Sequence, residues 1–576
     1  MTRGTRIALL VVAAAGALAL PAAAWAHAVL VRTSPLPSSV VNSPPPVVLL
    51  TYSEAVEPRF AIVSITNAAG QQQIAGSPRR SAADPNTLVV PLHRLAQGWY
   101  LVYWRVISVD GHPVRGAFTF AVGPNPGPAP QFPVPSISET AATPSLVTAR
   151  AIVFLSVMAA IGLFILRIAT ARPVVRRVSE TRLRALSVAF GISAAIALIA
   201  TPVYVVMATA QFALRGVFDL GNILPLVRDS AFGRGYLDLE LTFALFVLAA
   251  ALALWVDRPE RPQRSIAELL STVGALLAAA ATLLVPGLSG HAAQTAPRGL
   301  SVALDWLHLA AGSVWVGGLI GLLVLWRSLP VARRVAGLSV CVPRFSNTAF
   351  VSVLLLIGSG VGASIIHFPT FSSLWQTSYG QALLVKIGLL GAASMLAAVN
   401  LLRTKPRLAA YPDRPELGTG AALLLRRLVS GETLLISAAV VAAAVLSSLP
   451  PPAKALAAAG NAIARVGPGP VTEIVNKNGY RIGIRVTPNQ AAAPNTFSIQ
   501  ITKAGNPVRH ASVIAGFAML DMEMGRQSDV LPEHAPGVYE RSAPALVMVG
   551  HWALSFEITP PGQQPFTLTF VDRTAG

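Results

Sequence analysis

Residues 27–123 carry short apolar runs of strand length, VVLLTYSEAV (47–56), FAIVSITN (60–67), TLVVPL (87–92), GWYLVYWRVIS (98–108) and GAFTFAV (116–122), separated by Pro, Asn and Gly. Such spacing predicts a β-sandwich of about a hundred residues. Between 148 and 450 the pattern changes to long apolar stretches near 149–169, 185–208, 236–256, 266–287, 302–326, 346–366, 381–402 and 429–449. Each is long enough to cross a hydrocarbon core of roughly 30 Å as a helix. Shorter runs then return in YRIGIRVTP (480–488), NTFSIQIT (495–502), HASVIAGFAML (510–520), HWALSFEI (551–558) and PFTLTFV (565–571), predicting a second sandwich over 471–576. Stretches 124–147, rich in Pro, and 451–470 read as linkers. The predicted fold class is multidomain: a polytopic α-helical membrane bundle of about 8 helices flanked by an N-terminal and a C-terminal exported β-sandwich.

Residues 1–26 join Arg3 and Arg6 to a short apolar run with an Ala-Trp-Ala exit, the pattern of a secretory signal. Cleavage after Ala26 would make His27 the first residue of the mature chain; an uncleaved anchor helix is the other reading. With 53% hydrophobic and 12% charged residues and a mean hydropathy of +0.60, the chain does not fit a purely soluble protein. A net charge of +19 would suggest nucleic acid if the basic residues shared one soluble patch. Instead they follow alternate apolar stretches: Arg172, Arg176, Arg177, Arg182 and Arg184 the first, Arg258, Arg261 and Arg264 the third, Arg327, Arg333, Arg334 and Arg344 the fifth, and Arg403, Lys405, Arg407, Arg414, Arg426 and Arg427 the seventh. By the positive-inside rule these loops are cytoplasmic and both sandwiches lie outside the inner (plasma) membrane. The lipid bilayer is thus an expected partner and nucleic acid is not. Cys341 is the single cysteine, which excludes an intrachain disulfide framework and a CxxC metal site. No P-loop, DKTG-type phosphorylation motif or CPC triplet occurs, which argues against an ATP-driven pump.

All nine histidines fall on the expected outer side or in the outer half of the membrane. A chain beginning at His27 offers its α-amine and imidazole Nδ1 to one metal, and SVDGHPVRGAFTF (108–120) sets Asp110 and His112 around Gly111 in a turn. Nitrogen-rich ligation with a carboxylate suits Cu(II) in a tetragonal field. Asp-Gly is also an ordinary hairpin turn, so the turn gains weight only together with His27. Through HAVLVRTSPLPSSV, TYSEAVEPRF and SVDGHPVRGAFTF the domain resembles the periplasmic copper-binding family CopC. The resemblance implies Cu(II) ligation by His27, Asp110 and His112, with Glu54 as a nearby carboxylate. Residues 27–123 contain no methionine, so the Met-rich Cu(I) site of some family members is not expected there, and His93 reads as a surface residue.

In SGHAAQTAPRGLSVALDWLHLAAGSVWVGGLIGL (289–322), Asp305 and His308 are three residues apart, on a helical face that Gly312 continues. Ionisable residues inside a span mark a functional site by default. With His291 in the preceding outer loop and His367 ending the sixth stretch, they form a candidate membrane copper path. Trp306 and Trp315 read as packing or interface aromatics. Lys386 and Glu432 read either as snorkelling side chains or as functional groups. SGHA, DWLHLAAGSVWVGG, RFSNTA before the sixth span, and SYGQALLVKIGLL with Tyr379, Gly380 and Lys386 resemble the CopD family of copper resistance membrane proteins. That resemblance implies copper movement across the inner membrane, with import as the implied direction.

The last domain holds Met519, Met522, Met524 and Met548, with His534 and His551 nearby. Thioether plus imidazole suits Cu(I), and thioethers also fill cores; both readings stand. In a continuing strand Met522 and Met524 share one face and Met519 takes the other. GVYE and GHWALSFEI resemble YtkA-like exported domains. The function expected is non-enzymatic copper handling: an exported domain captures Cu(II) and delivers it to the membrane domain, with Cu(I) sites elsewhere and other copper-handling proteins as further partners. The alternatives are a transmembrane haem electron-transfer protein, which needs axial His pairs on facing spans, and a non-transporting copper sensor or assembly factor.

Overall fold

The apolar stretches become helices because nothing else satisfies backbone polar groups in lipid. In the computed structural model, which describes residues 30–574 apart from 38, 53–54, 108–112, 127–142, 179–180, 296, 450–461, 492, 521–526, 544 and 548–549, eight helices have the length and apolarity of membrane spans. They are Pro144–Arg177, Arg184–Phe212, Phe232–Val256, Ile266–Ser289, Arg298–Ser328, Val331–His367, Ser378–Ala409 and Pro415–Leu446, called here the first to eighth spans. The protein is a multi-pass membrane protein. Several helices outrun their apolar stretches: the sixth begins at Val331, so RFSNTA lies within it. The reason is that hydropathy registers only the lipid-facing length, whereas Arg and Ala continue a helix into water at little cost. A further helix, Leu220–Asp229, occupies what hydropathy marks as a loop between the second and third spans.

The first and fifth spans are the most enclosed. They meet backbone to backbone: a Cβ added at Gly162 would stand 2.7 Å from Gly317 Cα. Small residues permit that approach, which in lipid replaces the missing hydrophobic drive with close packing. Phe345 of the sixth span fills the space left by Gly318. The fifth span is thereby fixed at the centre of the bundle.

At the arginine-rich end, charges are paired. Arg167 Nη1 lies 2.6 Å from Asp257 Oδ2, Arg172 Nε 2.9 Å from Asp257 Oδ1, and Arg172 Nη2 3.1 Å from Glu268 Oε1. Glu268 also closes a capping box with Ser265 at the start of the fourth span. Arg172, placed by the apolar pattern in a basic loop, is instead buried within the first helix, because two carboxylates across the bundle compensate its desolvation.

A second unit holds both sandwiches. The N-terminal one stacks two four-stranded sheets, ordered Leu30–Ser34, Val47–Tyr52, Thr87–Pro91, Arg79–Arg80 and Val40–Val41, Pro113–Val122, Gly98–Ile107, Ile62–Asn67. Alternation sends Tyr100, Val102, Trp104 and Val106 into the core with Phe118 and Phe120. Gly116 is required opposite Trp104, whose ring carbon a Cβ would meet at 2.6 Å. The C-terminal sandwich packs a sheet built around Tyr480–Thr487 and Asn495–Lys503 on one built around Ser512–Met519 and Gly550–Thr559. Ala117 N–H donates to Val547 O at 3.0 Å, which joins the two sandwiches.

Asp257→Ala leaves Arg167 and Arg172 short of a shared carboxylate and is expected to cost about 3 kcal/mol. Thermal unfolding of the detergent-solubilised protein checks this; an unchanged midpoint would show that the network carries no stability.

Candidate functional site

Because the fifth span is central, the face bearing Asp305 and His308 turns towards its neighbours rather than lipid. His308 Nδ1 stands 3.2 Å from Ser359 Oγ of the sixth span. Ser359 Oγ in turn donates to Leu355 O at 2.6 Å, so its proton is committed and it accepts from Nδ1–H. That hydrogen-bond pattern assigns the Nδ1–H tautomer and leaves the Nε2 lone pair free to act. Nε2 faces Lys386 Nζ of the seventh span at 3.3 Å. Asp305, one turn earlier, interacts electrostatically with both Lys386 and Tyr379. The fourth span passes close by: a Cβ on Gly287 would lie 3.1 Å from Asp305 Oδ2. Trp306 does more than pack, since its Nε1 donates to Ala280 O of the fourth span at 2.9 Å.

The arrangement is an imidazole nitrogen with a set tautomer, a carboxylate and an amine, contributed by two helices and oriented by a third. Such orientation of the non-ligating ring nitrogen is characteristic of metal-binding imidazoles. Lys386 Nζ occupies the position on Nε2 that a metal would take.

His367 ends the sixth span, with Nδ1 2.8 Å from Ala363 O and Nε2 3.4 Å from Thr295 Oγ1. His291 begins a short helical turn, His291–Gln294, and its side chain is outside the described residues. The structure therefore groups Asp305, His308, Lys386 and Tyr379, and holds His367 against Thr295. Lys386 does not snorkel, and neither does Glu432, which is 2% exposed and accepts a hydrogen bond from Asn400 Nδ2. Ser359 escaped sequence reasoning because serine is unremarkable in an apolar helix. Arg150 escaped too. It is buried near the start of the first span, where its Nε donates to Tyr204 Oη at 2.9 Å and its Nη1 to Ser448 Oγ at 2.6 Å. A lone arginine inside an apolar run was the available signal.

His27, Glu54, Asp110 and His112 lie outside the described residues, and their neighbours frame them. Gly98–Ile107 and Pro113–Val122 pair down to Ile107↔Pro113, so residues 108–112 form the connection of this hairpin. Leu30 pairs with Tyr52 at the end of the facing sheet. Tyr52 packs edge-on against Trp104 of the other sheet, ring centroids 5.5 Å apart. Strands Val47–Tyr52 and Gly98–Ile107 are thus in contact.

In the C-terminal sandwich Met519 ends its strand and is 2% exposed, within a core that includes Phe517 and Trp552. Met522, Met524 and Met548 lie outside the described residues, and His534 and His551 are exposed. Among the described residues no group of three or more His, Cys, Asp or Glu is placed to hold a metal.

Four family models match the chain: CopC domain over 30–123, Copper resistance protein D-like N-terminal domain over 140–299, Copper resistance protein D over 339–446, and YtkA-like over 474–557. The span bearing Asp305 and His308 falls between the two membrane models. The chain is similar to Copper transport protein CutJ of Bacillus subtilis (strain 168), 26% identical over 547 residues covering 93% of each chain. It is also similar to Copper resistance protein C of Xanthomonas campestris pv. juglandis, 35% identical over 122 residues, 20% of this chain and 94% of that one. The crystal structure of CopC from Methylosinus trichosporium OB3b is 35% identical over 17% of this chain and 95% of its own, with a TM-score of 0.16.

The core position of Met519 generates an expectation that a surface ligand would not. Met519→Leu should alter stability by less than about 1.5 kcal/mol and Met519→Ala should cost about 2–5 kcal/mol, as read from hydrogen exchange in strand Ser512–Met519. Equal exchange in the two variants would place this thioether outside the packed core.

Proposed function

From a chain that belongs to the CopC/CopD copper resistance family, we propose a copper importer in which an exported Cu(II)-binding domain supplies the helical bundle. Both sandwiches are extracytoplasmic in this reading, and the arginine-rich end of the bundle faces the cytoplasm. His27, through its α-amine and imidazole, holds Cu(II) with Asp110 and His112, and Glu54 supplies a nearby carboxylate. The 124–147 linker keeps this donor near the membrane, raising its local concentration to about millimolar. Transfer is ligand exchange rather than catalysis: His291 and His367 stand at the outer end, and Asp305 and His308 receive the ion within the bundle.

The observation that carries this reading is the His308 geometry. Its Nδ1 is anchored on Ser359 and its Nε2 points at Lys386 beside Asp305, so a metal gains an oriented imidazole and a carboxylate by displacing one amine. The haem reading finds less support, because among the described residues His308 is the only histidine in the interior of a span and no second imidazole faces it. A Cu(I) site in the C-terminal domain would draw on Met519, Met522, Met524, Met548 and His534, with the burial of Met519 supporting a packing role for that residue.

Two outcomes test the proposal. His308→Ala should lower copper uptake into proteoliposomes by about tenfold or more, the scale on which metal-site changes act, while Cu(II) capture by the first domain persists; undiminished uptake removes His308 from the path. Adding two residues ahead of His27 should abolish tight Cu(II) binding and change the EPR spectrum, and an unaltered spectrum would exclude the terminal amine as a ligand.

A further inference from the structure

Beyond the Asp305–His308 site, the same helices carry a second polar cluster towards the arginine-rich end. Trp315 lies seven residues past His308 on the fifth span, about 10 Å along the helix and on nearly the same face. On the seventh span Tyr379, Lys386, Ala393 and Asn400 recur every seven residues, a spacing that keeps them on one stripe. The stripe is closed between its polar members by Ala393, which is 0% exposed. Glu432 enters from the eighth span, which approaches the seventh closely enough that a Cβ on Gly431 would meet Leu396 Cδ1 at 3.0 Å.

Glu432 is 2% exposed and accepts from Asn400 Nδ2. Trp315 Nε1 lies beside its carboxyl without meeting hydrogen-bond geometry. Asn400 opens a π-helical turn, Asn400–Thr404, a distortion that gathers at functional sites. Asn400 is 7% exposed and Thr404 is 0% exposed, and their Oδ1 and Oγ1 atoms have no hydrogen-bond partner among the described residues. A π-turn with two spare buried acceptors is costly unless something binds there.

The donor set decides what that is. Carboxyl, amide and hydroxyl oxygens are hard ligands, with neither the thioether nor the imidazole that copper favours. A carboxylate removed from water needs a cation or a proton. Arg426 and Arg427 on its own span, Arg403 on the seventh, Arg327 on the fifth, Arg344 on the sixth and Arg167 on the first form no ion pair with Glu432 among the described residues. The groups that do face it, Asn400 and Trp315, are neutral.

We propose that Glu432, with Asn400, is a proton-binding site separate from the Asp305–His308 site and couples copper movement to a proton gradient. This inference rests on the transport reading above and supplies its driving force. The step makes and breaks a single O–H bond: the acid releases a proton to water reached from one face, and the carboxylate is reprotonated from the other. No electrons move.

The test uses the full-length protein in proteoliposomes, with copper uptake and internal pH followed together. At equilibrium a gradient of about one pH unit should change the copper accumulation ratio about tenfold per coupled proton, raising it for one sign and lowering it for the other. Internal pH should move in step with copper. Glu432→Gln should bring that ratio to about one, with copper affinity in detergent changed less than about twofold, because the copper ligands are untouched. Glu432→Asp should keep a gradient response. Wild-type uptake that ignores pH, a Glu432→Gln variant that still responds, or acceleration by a sodium gradient instead would each overturn the proton site while leaving transport intact. Absence of uptake in every gradient would remove the transport reading, and the coupling with it.

Discussion

Backbone contact between the first and fifth spans is the constraint on which the rest depends. Gly162 and Gly317 leave no room for a Cβ on either side, so these helices approach more closely than side chains normally permit. In lipid that closeness is worth having, since dispersion contacts and shape replace the hydrophobic drive available in water. With the fifth span held centrally, every residue on its inward face acquires helical neighbours. Asp305, His308 and Trp315 are polar or hydrogen-bonding groups on that face; Asp305 and His308 meet Lys386 of the seventh span, and Trp315 lies beside the Glu432 carboxyl of the eighth.

The low dielectric then dictates how those groups are arranged. At the arginine-rich end full charges are matched by full charges, with Arg167 and Arg172 sharing Asp257 and Glu268. Around Arg150 a guanidinium is satisfied by the hydroxyls of Tyr204, Ser447 and Ser448. The Asp305–His308–Lys386 group differs from both in that a carboxylate, an imidazole and an amine meet at one place.

How much could be read in advance follows from the range of each signal. Hydropathy found all eight helices because lipid imposes one requirement on every residue of a span. It missed the start of the sixth at Val331, which lies beyond the apolar length, and placed Arg172 in solvent, because its carboxylate partners are distant in sequence. Asp305 and His308 were legible as costly residues in an apolar run. Ser359 was not, since its meaning lies wholly in the nitrogen it faces. Glu432 was seen but left between two readings until its distance from water was known. For His27, Glu54, Asp110 and His112, which lie outside the described residues, the motif is the guide.

Three donor types are distributed along the chain in an order that has chemical consequences. In the proposed reading, nitrogen and oxygen donors belong to the first domain, an imidazole with a carboxylate to mid-bundle, and oxygens alone to Glu432. Copper binding weakens across that series as imidazole is lost, whereas proton binding does not. In the import reading proposed above, an ion passing Glu432 meets no deep trap of the kind that a thioether or second imidazole there would create. A conduit must bind well enough to admit its cargo and loosely enough to release it. In that reading the lack of soft ligands among Asn400, Thr404 and Glu432 would serve release, and the oriented Nε2 of His308 would serve entry.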